Sequence, residues 1–253
     1  MRRTRTRSAL LTGSALTLAV AAGCHLGPAA TWLPAVRRLT PRLAGRGHRG
    51  RLALTFDDGP SPASTPEFLV ALADANVHAT FFMVGEYLAR HQIIGRAVVA
   101  AGHEIAVHGW QHHYLLGQPY QRVYRDLART AALIAEISGT APRWFRPPYG
   151  VLTGASTRAA IRLGMRPILW TTWGRDWAAN ATADSILTTI GSRLHGATVL
   201  LHDAAPAGTP ASRRATLDAL PHLINRARAL GLKPGPLRDH GIHSGRGQRS
   251  GDG

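Results

Sequence analysis

The chain has 253 residues, 45% of them hydrophobic, with one cysteine and a formal net charge of +16. That length fits one catalytic-sized domain with short additions, and the apolar content excludes a wholly disordered chain. A single cysteine excludes a disulfide framework and a cysteine-based zinc module, so any metal held here must use histidine and carboxylate ligands. Residues 1–51 carry ten Arg and no acidic residue, whereas residues 52–238 carry a net charge of only +6.

In chain order, Arg2, Arg3, Arg5 and Arg7 precede an uncharged, largely apolar run from Ser8 to Gly23. A basic start followed by such a run is an export-signal pattern, and about sixteen residues fall short of the ~20 of a transmembrane helix. The run ends at Ala21, Ala22, Gly23 and Cys24, which resembles a bacterial lipobox with Cys24 as lipid anchor. An ordinary signal peptide that contains a cysteine, or an uncleaved anchor, fits the same residues. Residues 1–24 are therefore expected to direct export to the cell surface or the medium. Residues 25–50, with three Pro, five Arg and no sustained period, read as a basic flexible linker attracted to a bilayer or an anionic wall. Residues 239–253 read as a disordered tail.

Between these ends, short apolar runs alternate with helical periods. Strands are expected at Leu52–Phe56, Ala79–Val84, Glu104–Val107, Trp144–Arg146, Pro167–Trp173 and Ala197–Leu201. Helices are expected at Pro66–Asp74, Ala89–Ala101, Gln121–Ser138, Gly154–Leu163, Ser185–Leu194 and Ser212–Leu230. Repeated strand then helix predicts an α/β fold with a largely parallel sheet, and periodicity alone does not separate a barrel from an open sheet. In both, function gathers at the C-terminal ends of the strands.

The residues at those ends carry metal-ligand chemistry. Asp57 and Asp58 follow the first strand, and successive side chains of an extended chain point apart, so one can bind a cation while the other stays free as a base. His108 and His112 follow the third strand, and a helical turn there would put both imidazoles on one face. Asp58 with two histidines makes a three-ligand divalent site with an open position, the form expected of a catalytic metal.

These residues sit in five ordered motifs: TFDDGP (55–60), His-x-x-x-His (108–112), RPPYG (146–150), Asp176-Trp177 and LLHD (200–203). On them, from about Arg51 to Leu237, the chain resembles the polysaccharide deacetylase family, also called carbohydrate esterase family 4 or the NodB homology domain. The resemblance implies a distorted (β/α) barrel in a single catalytic domain spanning residues 51–238. It implies Asp58, His108 and His112 as metal ligands, Asp57 as catalytic base and His202 as general acid. Arg146 would orient Asp57, and Asp176 would hold His202 in its working tautomer. The Tyr149 backbone N–H would bind the developing oxyanion, with Trp177 and Leu200 around the acetyl methyl. The chain departs from the family pattern at Gly109, where a Ser or Thr is usual; His113 reads as a neighbour of the site.

The expected activity is metal-dependent hydrolysis of the acetamido C–N bond of N-acetylglucosamine-type residues in peptidoglycan or a chitin-like glycan, releasing acetate. Zn2+ is the expected metal, with Co2+, Ni2+ or Mn2+ compatible with an Asp-His-His site. An O-acetyl esterase on xylan and a noncatalytic wall-binding protein are the alternatives. The expected partners are the acetylated glycan and the cell envelope, reached through the anchor or the basic linker, with the protein a monomer. A nucleic-acid partner is not expected, because the charge is not organised around aromatic platforms.

Overall fold

The computed structural model describes residues 23, 25–204 and 209–242. The export signal up to residue 22, the candidate lipid anchor Cys24 and the tail from residue 243 lie outside the described residues.

Eight parallel strands form one sheet: β1 (Arg51–Asp57), β2 (Thr80–Met83), β3 (Glu104–Val107), β4 (Trp144–Phe145), β5 (Arg166–Pro167), β6 (Thr172–Trp173), β7 (Ala197–His202) and β8 (Lys233–Gly235). Their order is β5-β4-β3-β2-β1-β7-β6, with β8 alongside the start of β1. The helices are α1 (Pro34–Leu39), α2 (Thr65–Asp74), α3 (Gly85–Arg90), α4 (Gln92–Ala100), α5 (Tyr120–Ser138), α6 (Gly154–Arg162), α7 (Ala183–Ile190) and α8 (Pro210–Ala229). Thr153 with Ser156, and Thr182 with Ser185, form capping boxes that satisfy the first free N–H groups of α6 and α7.

Central strand β1 is buried from Leu52 onward, as a strand covered on both faces must be. Its alternate residues serve different cores. Leu52, Leu54 and Phe56 join a large core with helix residues such as Phe68, Leu127 and Leu223. Ala53 joins a smaller one with Phe82, Ala106, Trp144, Ile168 and Leu237, and this set, drawn from strands and connections, fills the inside of the curled sheet.

The structure corrects the expected single strand Pro167–Trp173. The run divides into β5 and β6, which lie at opposite edges of the sheet, and residues 168–171 cross between them. Four residues are short reach, so the edges must come together, and this curls the sheet into the distorted barrel. The expected helix Ala89–Ala101 also divides, into α3 and α4, at His91, whose backbone is extended out of the helical region (φ −130°, ψ 46°).

Residues 25–50 are not a free linker. A 3-10 turn at Gly27–Trp32 and helix α1 lead into a segment laid along the seam between the sheet edges. Leu169 N donates to the Leu43 carbonyl (2.7 Å) and the Thr198 hydroxyl to the Gly45 carbonyl (2.7 Å). The physical reason is the unpaired backbone at a seam, which needs partners once buried. Gly45 is at φ +75°, and a Cβ there would meet Thr198 Oγ1 at 2.7 Å, so only glycine fits. The start of the expected tail is likewise packed: His240 is buried, and its carbonyl accepts from His48 N (2.9 Å).

Candidate active site

Strand β1 ends on Asp57, and Asp58 then adopts φ +75°, a left-handed conformation that a non-glycine residue seldom takes. The chain is no longer extended there, so both carboxylates turn toward the same side. His108 Nε2 lies 3.7 Å from Asp57 Oδ2 and 3.3 Å from Asp58 Oδ1.

Strand β3 delivers His108, and Gly109 at φ +85° reverses the chain. Residues 108–113 form bends and no helix, so the expected helical turn is replaced by this reversal, which still brings His112 Nε2 to 3.1 Å from Asp58 Oδ1. The usual Ser or Thr at position 109 would be strained at that φ.

The three groups fit a cation. Burial favours the neutral acid at Asp58, but the positive charge that His108, His112 and His202 carry when protonated would outweigh it and hold the carboxyl well below its usual range, the pull that a cation in their midst would exert. His108 Nδ1–H donates to the Arg146 carbonyl (2.8 Å), which leaves the Nε2 lone pair facing Asp58 Oδ1. That buried oxygen has no hydrogen-bond partner among the described residues. Lone pairs converging in a buried place repel unless a positive ion is shared between them, and the ligand atoms lie within 4.8 Å of one another.

Asp57 is held from behind. Arg146 is fully buried and donates from one terminal nitrogen to Asp57 Oδ1 (2.6 Å) and Thr55 Oγ1 (2.8 Å), and from the other to the Leu169 carbonyl (2.9 Å). Burial lowers the guanidinium pKa and the Asp57 carboxylate opposes that, so the pair is one neutral, oriented unit. Asp57 Oδ2 is left facing the cleft.

Strand β7, hydrogen-bonded beside β1, ends on His202 opposite Asp57. Its Nδ1–H donates to Asp176 Oδ1 (2.9 Å), while Asp176 Oδ2 accepts from His202 N (2.8 Å) and Thr216 Oγ1 (3.1 Å). Burial opposes the imidazolium, but Asp176, Asp58 and Asp57 outweigh it and push the pKa up to about 10. Next to it, burial raises the Asp203 carboxyl to about 7, and the Thr65 hydroxyl donates to it. Asp203 lies behind the cleft and braces the turn, packed so closely that a Cβ on Gly59 would collide with it.

One cavity of about 380 Å³ unites these groups: Asp57, Asp58, His108, His112 and His202 line it, with Tyr149, Trp177 and Leu200. Of the residues expected at the site, Arg146 and Asp176 stand behind this wall in contact with Asp57 and His202. His113 is exposed and outside it. The Trp177 ring packs edge-on to His202 (5.4 Å between centroids) and Tyr149 stacks on Tyr114 (3.9 Å, 10°). Trp170 and Trp173 also line the cavity. Sequence reasoning missed Trp32 and Tyr114 in its wall. Trp32 reaches the site only because the N-terminal segment docks, while Tyr114, two residues after His112, carried a signal in its position.

Residues 44–168 match the polysaccharide deacetylase family. A chitooligosaccharide deacetylase of Bradyrhizobium sp. (strain ANU 289) is 34% identical over 191 residues, which cover 73% of this chain and 87% of the relative. A solved peptidoglycan N-acetylglucosamine deacetylase superposes with a TM-score of 0.70 at 28% identity, covering 79% of this chain and 92% of that one. A family 4 carbohydrate esterase from Streptomyces lividans, solved with acetate, gives 0.67 at 31% identity, covering 76% and 96%. With the ordered motifs meeting in one cleft and a relative matched over most of its length, the chain belongs to the polysaccharide deacetylase family.

Proposed function

We propose that the protein is an exported, metal-dependent N-deacetylase that hydrolyses the acetamido bond of N-acetylglucosamine-type residues in a cell-wall glycan and releases acetate. The observation that carries this reading is that Asp57 and His202, register partners at the ends of neighbouring strands, line one cavity with the Asp58-His108-His112 triad. Export rests on the basic, then apolar, N-terminus. The chitooligosaccharide deacetylase and the peptidoglycan N-acetylglucosamine deacetylase act on such glycans by their names, and this chain shares their fold.

A divalent cation held by Asp58, His108 and His112, with zinc the first candidate, supplies Lewis-acid activation of water and of the acyl carbonyl. Asp57 Oδ2 accepts the proton of the attacking water, while Arg146 fixes Oδ1 and so sets the angle of the free oxygen. The Tyr149 N–H donates to the oxygen that gains charge, a contribution of about 3 kcal/mol for one such donor. His202, with Nδ1–H bound to Asp176, delivers a proton from Nε2 to the departing amine nitrogen. An amide nitrogen leaves poorly without that proton, which gives the raised pKa of His202 its use. Trp177 and Leu200 enclose the acetyl methyl.

An O-acetyl esterase is the second reading, because the same base, water and oxyanion donor would serve an ester in this cavity. Acetate release measured on N-acetylglucosamine oligomers, peptidoglycan and acetylated xylan separates the two. Release from the first two is expected; release from xylan alone would overturn the N-deacetylase reading, and no release from any of them with metal bound would make the protein noncatalytic.

A further inference from the structure

A second cavity, of about 480 Å³, adjoins the active site on the side of the N-terminal segment and shares Trp170 and Trp173 with it. Its volume is within the range of about 300–1,000 Å³ that small-molecule sites occupy. Four arginines line it: Arg37 and Arg38 from α1, Arg46 from the seam segment and Arg193 from the loop after α7. No acidic residue lines it, and none of the four arginines is in an ion pair with a carboxylate among the described residues.

Two of these side chains are fixed by contacts that leave charge unanswered. Arg37 lies over the Trp170 ring (4.7 Å to the centroid) and donates to the Trp32 carbonyl (2.9 Å), yet its Nε is buried with no hydrogen-bond partner among the described residues. Arg46 donates to the His195 carbonyl (3.1 Å). Carbonyl oxygens supply partial charge only, so a concave, cationic surface from three chain segments is left without a counter-charge. Burial and nearby Arg146 both lower the Arg37 pKa, the response of a guanidinium set among unfavourable neighbours.

Tryptophans lead from this cavity to the reacting groups. Trp170 stacks with Trp173 (5.8 Å), Trp173 meets Trp177 (4.9 Å) and Trp177 meets His202 (5.4 Å). We propose that the arginine cavity is a specificity subsite that binds a carboxylate carried by the glycan whose N-acetyl group is removed beside His202. The choice of a glycan ligand rests on the deacetylase reading and on this continuity. Arginine suits the role because its planar fork of donors matches a carboxylate. A glycan bearing lactyl ether carboxylates on alternate sugars has that chemistry, and a neutral N-acetylglucosamine polymer lacks it.

The test is calorimetric binding to the full chain, with a tetrasaccharide alternating N-acetylglucosamine and N-acetylmuramic acid compared with a neutral N-acetylglucosamine tetramer. Arg38 and Arg193 are exposed, so Arg38→Gln/Arg193→Gln is expected to fold, as its melting curve will show, and Arg37→Gln serves as the second variant. The double variant is expected to bind the carboxylated tetrasaccharide about tenfold more weakly, with little change for the neutral one. Equal weakening of both ligands, no weakening of either, or no binding of the carboxylated ligand to the unsubstituted protein would overturn the proposal. Loss of binding to phosphatidylglycerol vesicles with carboxylated-glycan affinity intact would also overturn it and reassign the cavity to a lipid headgroup. Acetate release is recorded separately. Its absence, with the binding contrast intact, would sink the deacetylase reading and leave the subsite standing.

Discussion

Buried carboxylates sit at both ends of the barrel strands, and their surroundings differ. Glu104 opens β3, at the end remote from the cleft. Its Oε2 accepts from Thr80 Oγ1 (2.7 Å) and Arg238 N (3.0 Å), and its Oε1 from Trp144 Nε1 (3.1 Å). Every part of that carboxyl is answered by a donor, and it ties β2, β3, β4 and the C-terminal segment together. Asp58 closes the turn after β1, and its Oδ1 faces two imidazole nitrogens with no hydrogen-bond partner among the described residues. Burial raises the pKa of Glu104, whereas at Asp58 the neighbouring histidines, when protonated, would outweigh burial and lower it. Burial of charge is common to both ends. Incomplete satisfaction, at the strand ends that face a cavity, is what marks chemistry rather than architecture.

Substitutions at the cleft are expected to have the largest effects. His112→Ala is expected to reduce metal affinity by more than the roughly 10- to 100-fold that loss of an outer-shell partner costs. Acetate release is expected to fall in parallel while the melting temperature of the metal-free protein changes little; metal titration followed by acetate assay checks this. Asp176→Asn comes next in size. The folded pKa of His202 is raised to about 10, so its acid form is present below that value and is lost as pH rises through it. Without the Asp176 charge the alkaline limb of the pH–rate profile is expected to move to lower pH, with a fall in activity of about tenfold or more. Glu104→Gln has the smallest effect on chemistry. The new amide turns a donor toward donors, destabilising the fold by about 1–3 kcal/mol in denaturant unfolding, with activity per folded molecule unchanged.

Much of the cleft was legible in the sequence because its chemistry falls at strand ends. Asp57, Asp58 and His108 follow or end an apolar run, and residue type with position pointed to metal and base chemistry there, whereas the roles of Arg146 and His202 came only from the resemblance of their motifs to the family. The route by which His108 and His112 meet was not legible, since their spacing fits a helical turn as well as the reversal at Gly109. The division of residues 167–173 between two sheet edges was also hidden, because an apolar run does not report which neighbours it pairs with. Residues 25–50 show no period, so composition alone describes a linker. Their order comes from tertiary pairing with Leu169 and Thr198, and that docking is what brings Trp32 to the cleft and Arg37 beside it.

Asp57→Asn separates the proposed base from the proposed metal ligands. Asparagine keeps the shape and an acceptor for Arg146 but leaves that buried cation without its counter-charge, so metal content and acetate release are measured on the folded fraction. Full metal occupancy is expected, with acetate release reduced by about 10²- to 10⁴-fold, the usual weight of a general base. Undiminished acetate release, or loss of the metal together with activity, would contradict the separate roles assigned to Asp57 and Asp58.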